Sequence, residues 1–236
     1  MNDIENIKIA GFSKTTFIDW PGKIASIIFL GGCNMRCYFC HNFDILCGSS
    51  NTQKFSEVLD QIREQVGFID GVVISGGEAT MHPYLLKIID EIRALGLPIK
   101  LDSNGTDPGL LRELVEDGKI EYVAMDVKCA IDNHEKIVGT DAWGAQIVES
   151  INYLKFQDKI EYMFRTTMAP GVDEDDMIEI ANMIDGATTY QMQQFIPNEN
   201  SNASAFRLLP PYTLDQVTEF SNHFKGRVGE ILIRGF

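Results

Sequence analysis

The sequence predicts an α/β fold, and more narrowly a partial (β/α)6 barrel with mostly parallel strands. Short apolar runs alternate along the chain with segments whose apolar residues recur at helical spacing. Because a strand–helix–strand repeat forms right-handed crossovers, this alternation indicates a parallel sheet. Six such units are too few for the usual eight-stranded barrel, so an open barrel fits the count.

The predicted strands and helices alternate from residue 24 onward. The strands are residues 24–30, 72–75, 99–103, 122–127, 160–167, 189–195 and 230–233. The helices are residues 56–66, 83–95, 108–116, 142–156, 174–184 and 214–224. In the second helix, apolar residues recur at three- and four-residue steps and form one apolar face. Asp173 is placed to cap the start of the fifth helix.

Length and composition predict one domain over residues 1–236. Hydrophobic residues make up 44% of the chain, which is enough for a full core. We expect residues 1–23 to form an N-terminal extension and residues from about 24 to 200 to form the core. Residues 201–236 are expected to add a C-terminal helix and strand.

Charge and hydropathy argue against two classes of partner. The formal net charge is -14, and no run of lysine and arginine could follow a phosphate backbone, so we expect no nucleic acid. No apolar run approaches the length of a bilayer span, and the first residues are acidic, so we expect no membrane and a cytoplasmic location. Five cysteines, three of them clustered, suit a reducing compartment.

Three cysteines, Cys33, Cys37 and Cys40, directly follow the first predicted strand. They supply three ligands, whereas a closed structural zinc site needs four. A four-iron cubane held by three cysteines leaves one iron without a protein ligand, and chemistry can take place at that iron. The spacing also differs from ferredoxin motifs, whose clusters are fully ligated. A zinc site completed by His41 or Cys47 stays open as an alternative.

Polar residues follow the next strands, at the edge where parallel α/β folds collect their sites. Gly76 and Gly77 can let the backbone approach a ligand closely, and the carboxylate of Glu78 can accept hydrogen bonds from an ammonium group. A tight turn in which Glu78 stabilises the next helix is the alternative.

The third and fourth strands end in acidic residues. Asp102, Ser103 and Asn104 close the third strand, and Asp126 and Lys128 close the fourth. An apolar barrel mouth would not carry such polar residues without a reason. An Asx turn at Asn104 and a solvated ion pair are the structural alternatives.

Two later strands and the cysteine loop add further candidates. Arg165 lies in an otherwise apolar strand, where its buried charge needs an anionic partner. The candidates for that partner are a ligand carboxylate, Glu78 and an aspartate at the barrel mouth. Gln194 ends the sixth strand. Tyr38 and Phe39 lie between the second and third cysteines, where an aromatic ring can pack on a ligand or shield a cluster from water.

Taken together, these motifs resemble those of the radical S-adenosylmethionine (SAM) superfamily. Its signature is Cys-x3-Cys-x2-Cys in the loop after the first core strand. Residues 76–78 resemble its Gly-Gly-Glu motif, with Ala79 where proline usually follows. The architecture that the resemblance implies is the radical SAM type of partial (β/α)6 barrel.

The resemblance extends to the glycyl-radical-enzyme activases of that superfamily. Residues 102–105 and 126–128 are similar to the Asp-x-Asn-Gly and Asp-x-Lys motifs of these activases. Residues 14–23, the loop Cys-Tyr-Phe-Cys-His-Asn and the compact length are similar to the anaerobic ribonucleoside-triphosphate reductase activating proteins.

The resemblance implies two cofactors, a [4Fe-4S] cluster on Cys33, Cys37 and Cys40, and SAM on the fourth iron. The residues implied in SAM binding are Tyr38, Phe39, Gly76, Gly77, Glu78, Asp102, Asn104, Asp126, Lys128, Arg165 and Gln194. The two aspartates can also hold a monovalent cation beside the SAM carboxylate, with Ser103 as a third ligand.

The activity that the resemblance implies is hydrogen abstraction from a glycine of a partner glycyl radical enzyme. A 5′-deoxyadenosyl radical, made by reductive cleavage of SAM, would take the hydrogen atom, and a flavodoxin- or ferredoxin-like protein would donate the electron. Three alternatives stay open. They are a pyruvate formate-lyase-type activating enzyme, a small-molecule radical SAM enzyme such as a 7-carboxy-7-deazaguanine synthase, and a zinc-stabilised interaction module.

Overall fold

The computed structural model describes residues 3–46, 52–197 and 210–236. Their strands are β1 Lys8–Ile9, β2 Gly11–Thr16, β3 Ala25–Leu30, β4 Gln53–Lys54, β5 Gly71–Gly76, β6 Ile99–Ser103, β7 Tyr122–Asp126, β8 Glu161–Met168, β9 Thr189–Gln194 and β10 Glu230–Arg234. Their helices are α1 Phe43–Leu46, α2 Phe55–Arg63, α3 Leu85–Arg93, α4 Pro108–Glu116, α5 His134–Val138, α6 Gly144–Phe156, α7 Glu174–Met183 and α8 Leu214–Ser221.

One eight-stranded sheet, in the order β10-β9-β8-β7-β6-β5-β3-β2, forms the framework. Neighbouring strands from β3 to β10 are parallel, and only the edge strand β2 runs antiparallel, to β3. Strands β1 and β4 pair separately with each other. The predicted α/β class with mostly parallel strands is confirmed.

All the predicted strands and helices are present, with small shifts at their ends. Strands β1, β2 and β4 and the short helices α1 and α5 were not predicted. Strand β2 lies within residues 1–23, which the sequence assigned to an extension. Its residues, Gly-Phe-Ser-Lys-Thr-Thr, contain no apolar run because an edge strand is half exposed to solvent.

The two faces of the sheet pack differently because successive side chains of a strand point to opposite faces. The outer face contacts the helices; for example, Ile28 and Ile74 share one core with Ile62 of α2 and Ile88 of α3. On the inner face a second apolar cluster fills the region near the start of the strands. Its members are Trp20, Ala25, Ile27, Val73, Tyr122, Ala124 and Met163. The polar side chains of the inner face therefore lie towards the carboxyl ends.

Side chains cap the starts of helices α7 and α8. The side chain of Asp173 accepts a hydrogen bond from the backbone N–H of Asp176, and the side chain of Asp176 accepts one from the N–H of Asp173, so the predicted cap of α7 is present as a capping box. Thr213 and Gln216 form the same arrangement at α8. Among the helices in the described parts of the chain, none is long and apolar enough to cross a bilayer.

Candidate active site

A cavity of about 380 Å³ opens at the carboxyl ends of the parallel strands. This volume lies in the range of roughly 300–1,000 Å³ that is usual for small-molecule sites. The structure brings nearly all the predicted site residues to its wall. They are Cys33, Cys37, Phe39, Cys40, Gly76, Gly77, Glu78, Asp102, Ser103, Asn104, Asp126, Lys128, Arg165 and Gln194.

Tyr38 is the exception. Its hydroxyl donates to the carbonyl of Pro170, in the segment after β8, and its ring is buried behind the cavity wall. Phe39 packs edge-on against that ring, with centroids 5.3 Å apart, and reaches the cavity. Tyr38 thus does not line the cavity in this structure, and its contact with the cofactor stays a prediction.

The cysteine loop is anchored by short α5. The backbone N–H of Arg36 donates to Val138 at 2.9 Å, and the N–H of Cys40 closes a turn on Cys37 at 3.1 Å. The thiols of Cys33, Cys37 and Cys40 are free of disulfides. The loop thus presents three thiols to one cavity.

Burial changes the protonation of these thiols. It raises the pKa of Cys33, and it raises the pKa of Cys37 to about 12. Metals bind the deprotonated thiolate. An iron that displaces the proton stabilises the negative charge of the buried sulfur.

The donor set fits an iron–sulfur cluster. Within the described ranges, no three His, Cys, Asp or Glu side chains are arranged to hold a single metal ion. In a cubane each thiolate binds a different iron, so its three sulfurs need not converge on one point. Thiolates are the usual ligands of such clusters. Cys47, one candidate for a fourth zinc ligand, lies outside the described residues.

The Gly-Gly-Glu turn lies directly against the cysteine loop. Gly76 has φ of +130°, and a Cβ there would overlap the backbone of Leu30. The N–H of Gly77 donates to Leu30 at 2.9 Å, and that of Glu78 donates to Gly32 at 2.8 Å. Gly32 precedes Cys33, so these bonds fix the turn relative to the first cysteine.

The carboxylate of Glu78 is buried and tied to two neighbouring segments. Its Oε1 accepts from Thr80 N–H at 3.1 Å, Thr80 Oγ1 at 2.7 Å and Ser103 Oγ at 2.9 Å. Its Oε2 accepts from the Asn104 N–H at 2.6 Å. Burial raises the pKa of Glu78, and these hydrogen bonds oppose the rise. Because Oε2 accepts only one of these hydrogen bonds, it can accept further ones from an ammonium group.

Asn104 connects the end of β6 to the cysteine loop. Its Oδ1 accepts from the N–H of Thr106 at 3.1 Å, so the Asx turn that the sequence left open is present. Its Nδ2 donates to Asn34 Oδ1 at 3.0 Å and lies 4.0 Å from Cys33 Sγ. Hydrogen bonds to cluster sulfurs tune reduction potentials. Asn34 was not predicted, because only the folded loop shows its contact with Asn104.

Five charged side chains form what we term the charged ladder: Lys100, Asp102, Arg165, Asp126 and Lys128. Lys100 Nζ contacts Asp102 Oδ1, and Arg165 Nη2 lies 3.4 Å from Asp102 Oδ2. Arg165 Nε and Nη2 lie 2.5 Å and 3.1 Å from the two oxygens of Asp126. Lys128 Nζ lies 2.9 Å from Asp126 Oδ2. The anion that Arg165 meets within the protein is therefore the aspartate pair and not Glu78.

The ladder changes the acidity of its members. Burial alone would raise the pKa of Asp126, but Arg165 and Lys128 hold that pKa well below its usual value. The pKa of Asp102 is likewise lowered despite burial, by Lys100 and Arg165. Both carboxyl groups are ionised at neutral pH.

The predicted ligands of a monovalent cation are already engaged within the protein. All four carboxylate oxygens of Asp102 and Asp126 contact nitrogen atoms of the ladder. Ser103 Oγ donates to Glu78 and accepts from the Gly105 N–H at 3.0 Å. Lys100 was not predicted, although its position two residues before Asp102 places both side chains on the same face of β6.

The part of the wall that comes from the end of β8 and from β9 is uncharged. Gln193 Nε2 donates to Thr167 Oγ1 at 3.1 Å, beside Gln194, Phe195 and the exposed Ile196. Asp19, from the loop between β2 and β3, also reaches the cavity and accepts a hydrogen bond from Thr16. Neither Gln193 nor Asp19 was predicted.

Cys129 is buried, and burial raises its pKa.

Comparisons with known proteins agree with this geometry. The sequence profile of the radical SAM superfamily matches residues 27–184. A "Putative glycyl-radical enzyme activating enzyme" of Methanocaldococcus jannaschii is 34% identical over 233 residues, which cover 96% of this chain and 95% of that protein. A pyruvate formate-lyase-activating enzyme of Staphylococcus epidermidis is 26% identical over 222 residues, which cover 85% and 84%.

Solved structures show the same fold at low sequence identity. Streptococcus suis SuiB bound to S-adenosylmethionine matches with a TM-score of 0.65 and 11% identity, covering 89% of this chain and 52% of SuiB. A domain of pyruvate-formate lyase-activating enzyme from Bacteroides vulgatus matches with a TM-score of 0.52 and 19% identity, covering 70% and 99%.

Proposed function

This chain belongs to the radical SAM superfamily and to its glycyl-radical-enzyme activase group, and from that premise we propose that it activates anaerobic ribonucleoside-triphosphate reductase. It is a radical SAM oxidoreductase whose cofactors are a [4Fe-4S] cluster and SAM. In the proposed reaction a hydrogen atom is removed from a glycine of the partner, which leaves a glycyl radical there. When bound, the reduced cluster and SAM together supply the 5′-deoxyadenosyl radical for this step.

The observation that carries the proposal is that three thiols line one cavity together with four members of the charged ladder, Asp102, Asp126, Lys128 and Arg165. Cys33, Cys37 and Cys40, which would hold the cluster, line the wall next to the Gly-Gly-Glu turn. The ladder contains three cations and two carboxylates and thus has a charge of +1. A buried positive charge is costly unless an anion meets it, and the carboxylate of the SAM methionine is such an anion.

A protein substrate suits the rest of the cavity. The wall around Thr167, Gln193 and Phe195 offers amide and hydroxyl hydrogen bonds without charge, which fits a peptide backbone. The sheet runs from the edge strand β2 to the edge strand β10 without the two pairing, so its barrel is open at the side. A glycine loop of a partner enzyme could enter there, whereas a compact charged substrate would need dedicated ionic partners.

We further infer that the electron comes from a flavodoxin- or ferredoxin-like protein. The sequence has five cysteines, and three of them belong to the cluster loop. Cys47 and Cys129 are too few for a second cluster that would relay electrons internally. A reducing cytoplasm would supply such a donor and preserve the thiols.

The test of the proposal is transfer of the radical to a partner. The anoxically reconstituted protein is mixed with SAM, a reductant and either anaerobic ribonucleoside-triphosphate reductase or pyruvate formate-lyase. The organic radical is then followed by electron paramagnetic resonance. We expect a glycyl radical doublet on the reductase, which disappears when its radical-bearing glycine is changed to alanine.

Two outcomes would change the assignment. A doublet on pyruvate formate-lyase alone would favour the activity of relatives such as the Staphylococcus epidermidis protein. If 5′-deoxyadenosine formed but neither partner acquired a radical, the activity on both partners would be refuted and a small-molecule substrate would be favoured.

A further inference from the structure

Lys100 is the buried lysine of the charged ladder, and it lies behind Asp102 without lining the cavity itself. It lies on the inner face of β6, and only 1% of the residue is exposed to solvent. Its stem packs beside the apolar inner cluster, with Nζ 5.9 Å from the centroid of the Tyr122 ring. Its ammonium contacts Asp102 Oδ1. A methionine could fill the same space without the cost of burying a charge.

The contacts of Asp102 show what this ammonium contributes. The other oxygen of Asp102 has one ladder contact, Arg165 Nη2 at 3.4 Å, which is long for an ion pair. Asp126, by comparison, meets both Arg165 and Lys128 at 3.1 Å or less. Asp102 therefore depends on Lys100 for its close positive partner, and Arg165 is held between the two aspartates.

The charge balance differs between the two ends of the ladder. Lys100 and Asp102 form a close pair, so the charges at this end balance. Arg165 and Lys128 share Asp126, and their end has the excess positive charge. An anionic ligand is therefore attracted to the Arg165–Lys128 end, while Lys100 balances Asp102 at the other end.

We propose that Lys100 is a built-in cation of this site, which positions Asp102 and Arg165 so that SAM binds without any monovalent metal ion. Removal of its ammonium leaves Asp102 Oδ1 without its close partner, at a position that K⁺ or Na⁺ can occupy, because carboxylate oxygens suit hard cations. Lys100 is a positioning residue here and does not itself contact SAM. The proposal concerns cofactor binding alone and holds for any partner enzyme.

The test measures SAM affinity of the cluster-loaded protein by anoxic equilibrium dialysis, with no partner enzyme present. The supporting salt is KCl, NaCl or the chloride of N-methyl-D-glucamine, a cation too large for a buried site, at equal ionic strength. We expect the wild-type Kd to be the same in all three salts. In Lys100→Met the Kd should rise by about tenfold or more in N-methyl-D-glucamine, because Asp102 loses its close partner. KCl or NaCl should restore most of that loss.

Lys159→Met is the matched control, because this lysine forms an exposed pair with Glu116 away from the cavity. It should bind SAM like the wild type in every salt. If Lys100→Met folds poorly, Lys100→Met/Asp102→Asn removes both charges, and its SAM affinity should not depend on the salt.

Three results would overturn the proposal. In the first, wild-type SAM binding itself requires K⁺ or Na⁺. In the second, Lys100→Met binds SAM normally in N-methyl-D-glucamine. In the third, its affinity falls equally in all three salts, which would give Lys100 a packing role only. Thermal unfolding of the cluster-free Lys100→Met protein provides a second measurement, since KCl should raise its Tm relative to N-methyl-D-glucamine and leave the wild-type Tm unchanged.

Discussion

At the residue scale, Glu78 joins the three segments that surround the cofactor cavity. Its backbone N–H reaches Gly32 in the cysteine loop, and its carboxylate accepts from Thr80 in its own turn and from Ser103 and Asn104 at the end of β6. The sequence predicted that Glu78 belongs to the site. It could not predict these partners, because they come from segments distant along the chain.

Substitution of Glu78 should separate cluster binding from SAM binding. In Glu78→Ala, the buried N–H of Asn104 and hydroxyl of Ser103 lose their acceptor, so the end of β6 shifts while the cysteines stay in place. We expect normal iron content and SAM binding that is weaker by about tenfold or more. Glu116→Ala, at an exposed carboxylate, is the control. Normal SAM affinity in Glu78→Ala would contradict this role.

The thiol of Cys37 lies deepest of the three in the cavity wall. Only 8% of this residue is exposed, and burial keeps its free thiol protonated. Without Cys37, a second iron of the cubane would have no protein ligand within the loop. Cys37→Ala should therefore lose the cluster and all SAM cleavage, as measured by iron content, visible absorption and 5′-deoxyadenosine release. Cys129→Ala, at a thiol outside the cavity wall, should keep its iron. Full iron content in Cys37→Ala would refute the ligand assignment.

At the scale of elements, neighbouring strands assemble the charged ladder. Asp126 of β7 is paired in register with Arg165 of β8, and Lys100 and Asp102 occupy successive inward positions of β6. The apolar runs of the strands predicted the sheet, and the acids at the strand ends predicted where the site lies. Which charges meet depends on strand register, and the sequence does not specify register when the partner strand is unknown.

The ladder makes folding stability depend on pH through Asp126. Its pKa is depressed in the folded protein, so its contribution is complete above the ordinary aspartate value of about 3.9 and is lost as the pH falls further. Asp126→Asn should cost about 3 kcal/mol at pH 7, because Arg165 and Lys128 lose a buried partner. The difference from wild type should stay constant down to about pH 5 and shrink below about pH 4.

Urea unfolding of the cluster-free wild type and variant at several pH values measures this difference. Asp60→Asn, at an exposed acid paired with Arg63 on α2, should behave like the wild type throughout. A stability difference that persists unchanged well below pH 4 would show that Asp126 is not the group responsible.

At the scale of the whole molecule, the open sheet places the carboxyl ends of its parallel strands on one side and closes the other side with apolar residues. Trp20 lies 6.2 Å from Tyr122, ring centroid to centroid, in the inner cluster near the start of the strands. The polar cavity is thus reached from the carboxyl edge and from the open side between β2 and β10. The sequence predicted the parallel strands but not β2, because a half-exposed edge strand has no apolar run.

The whole molecule works as proposed only if three thiolates hold a four-iron cluster with one iron open to SAM. Anoxic reconstitution followed by electron paramagnetic resonance of the reduced cluster, with and without SAM, tests it most directly. We predict about four irons per chain and a cluster spectrum that changes when SAM is added. One zinc per chain, no iron, or a spectrum unaffected by SAM would refute a three-thiolate cluster with an open iron.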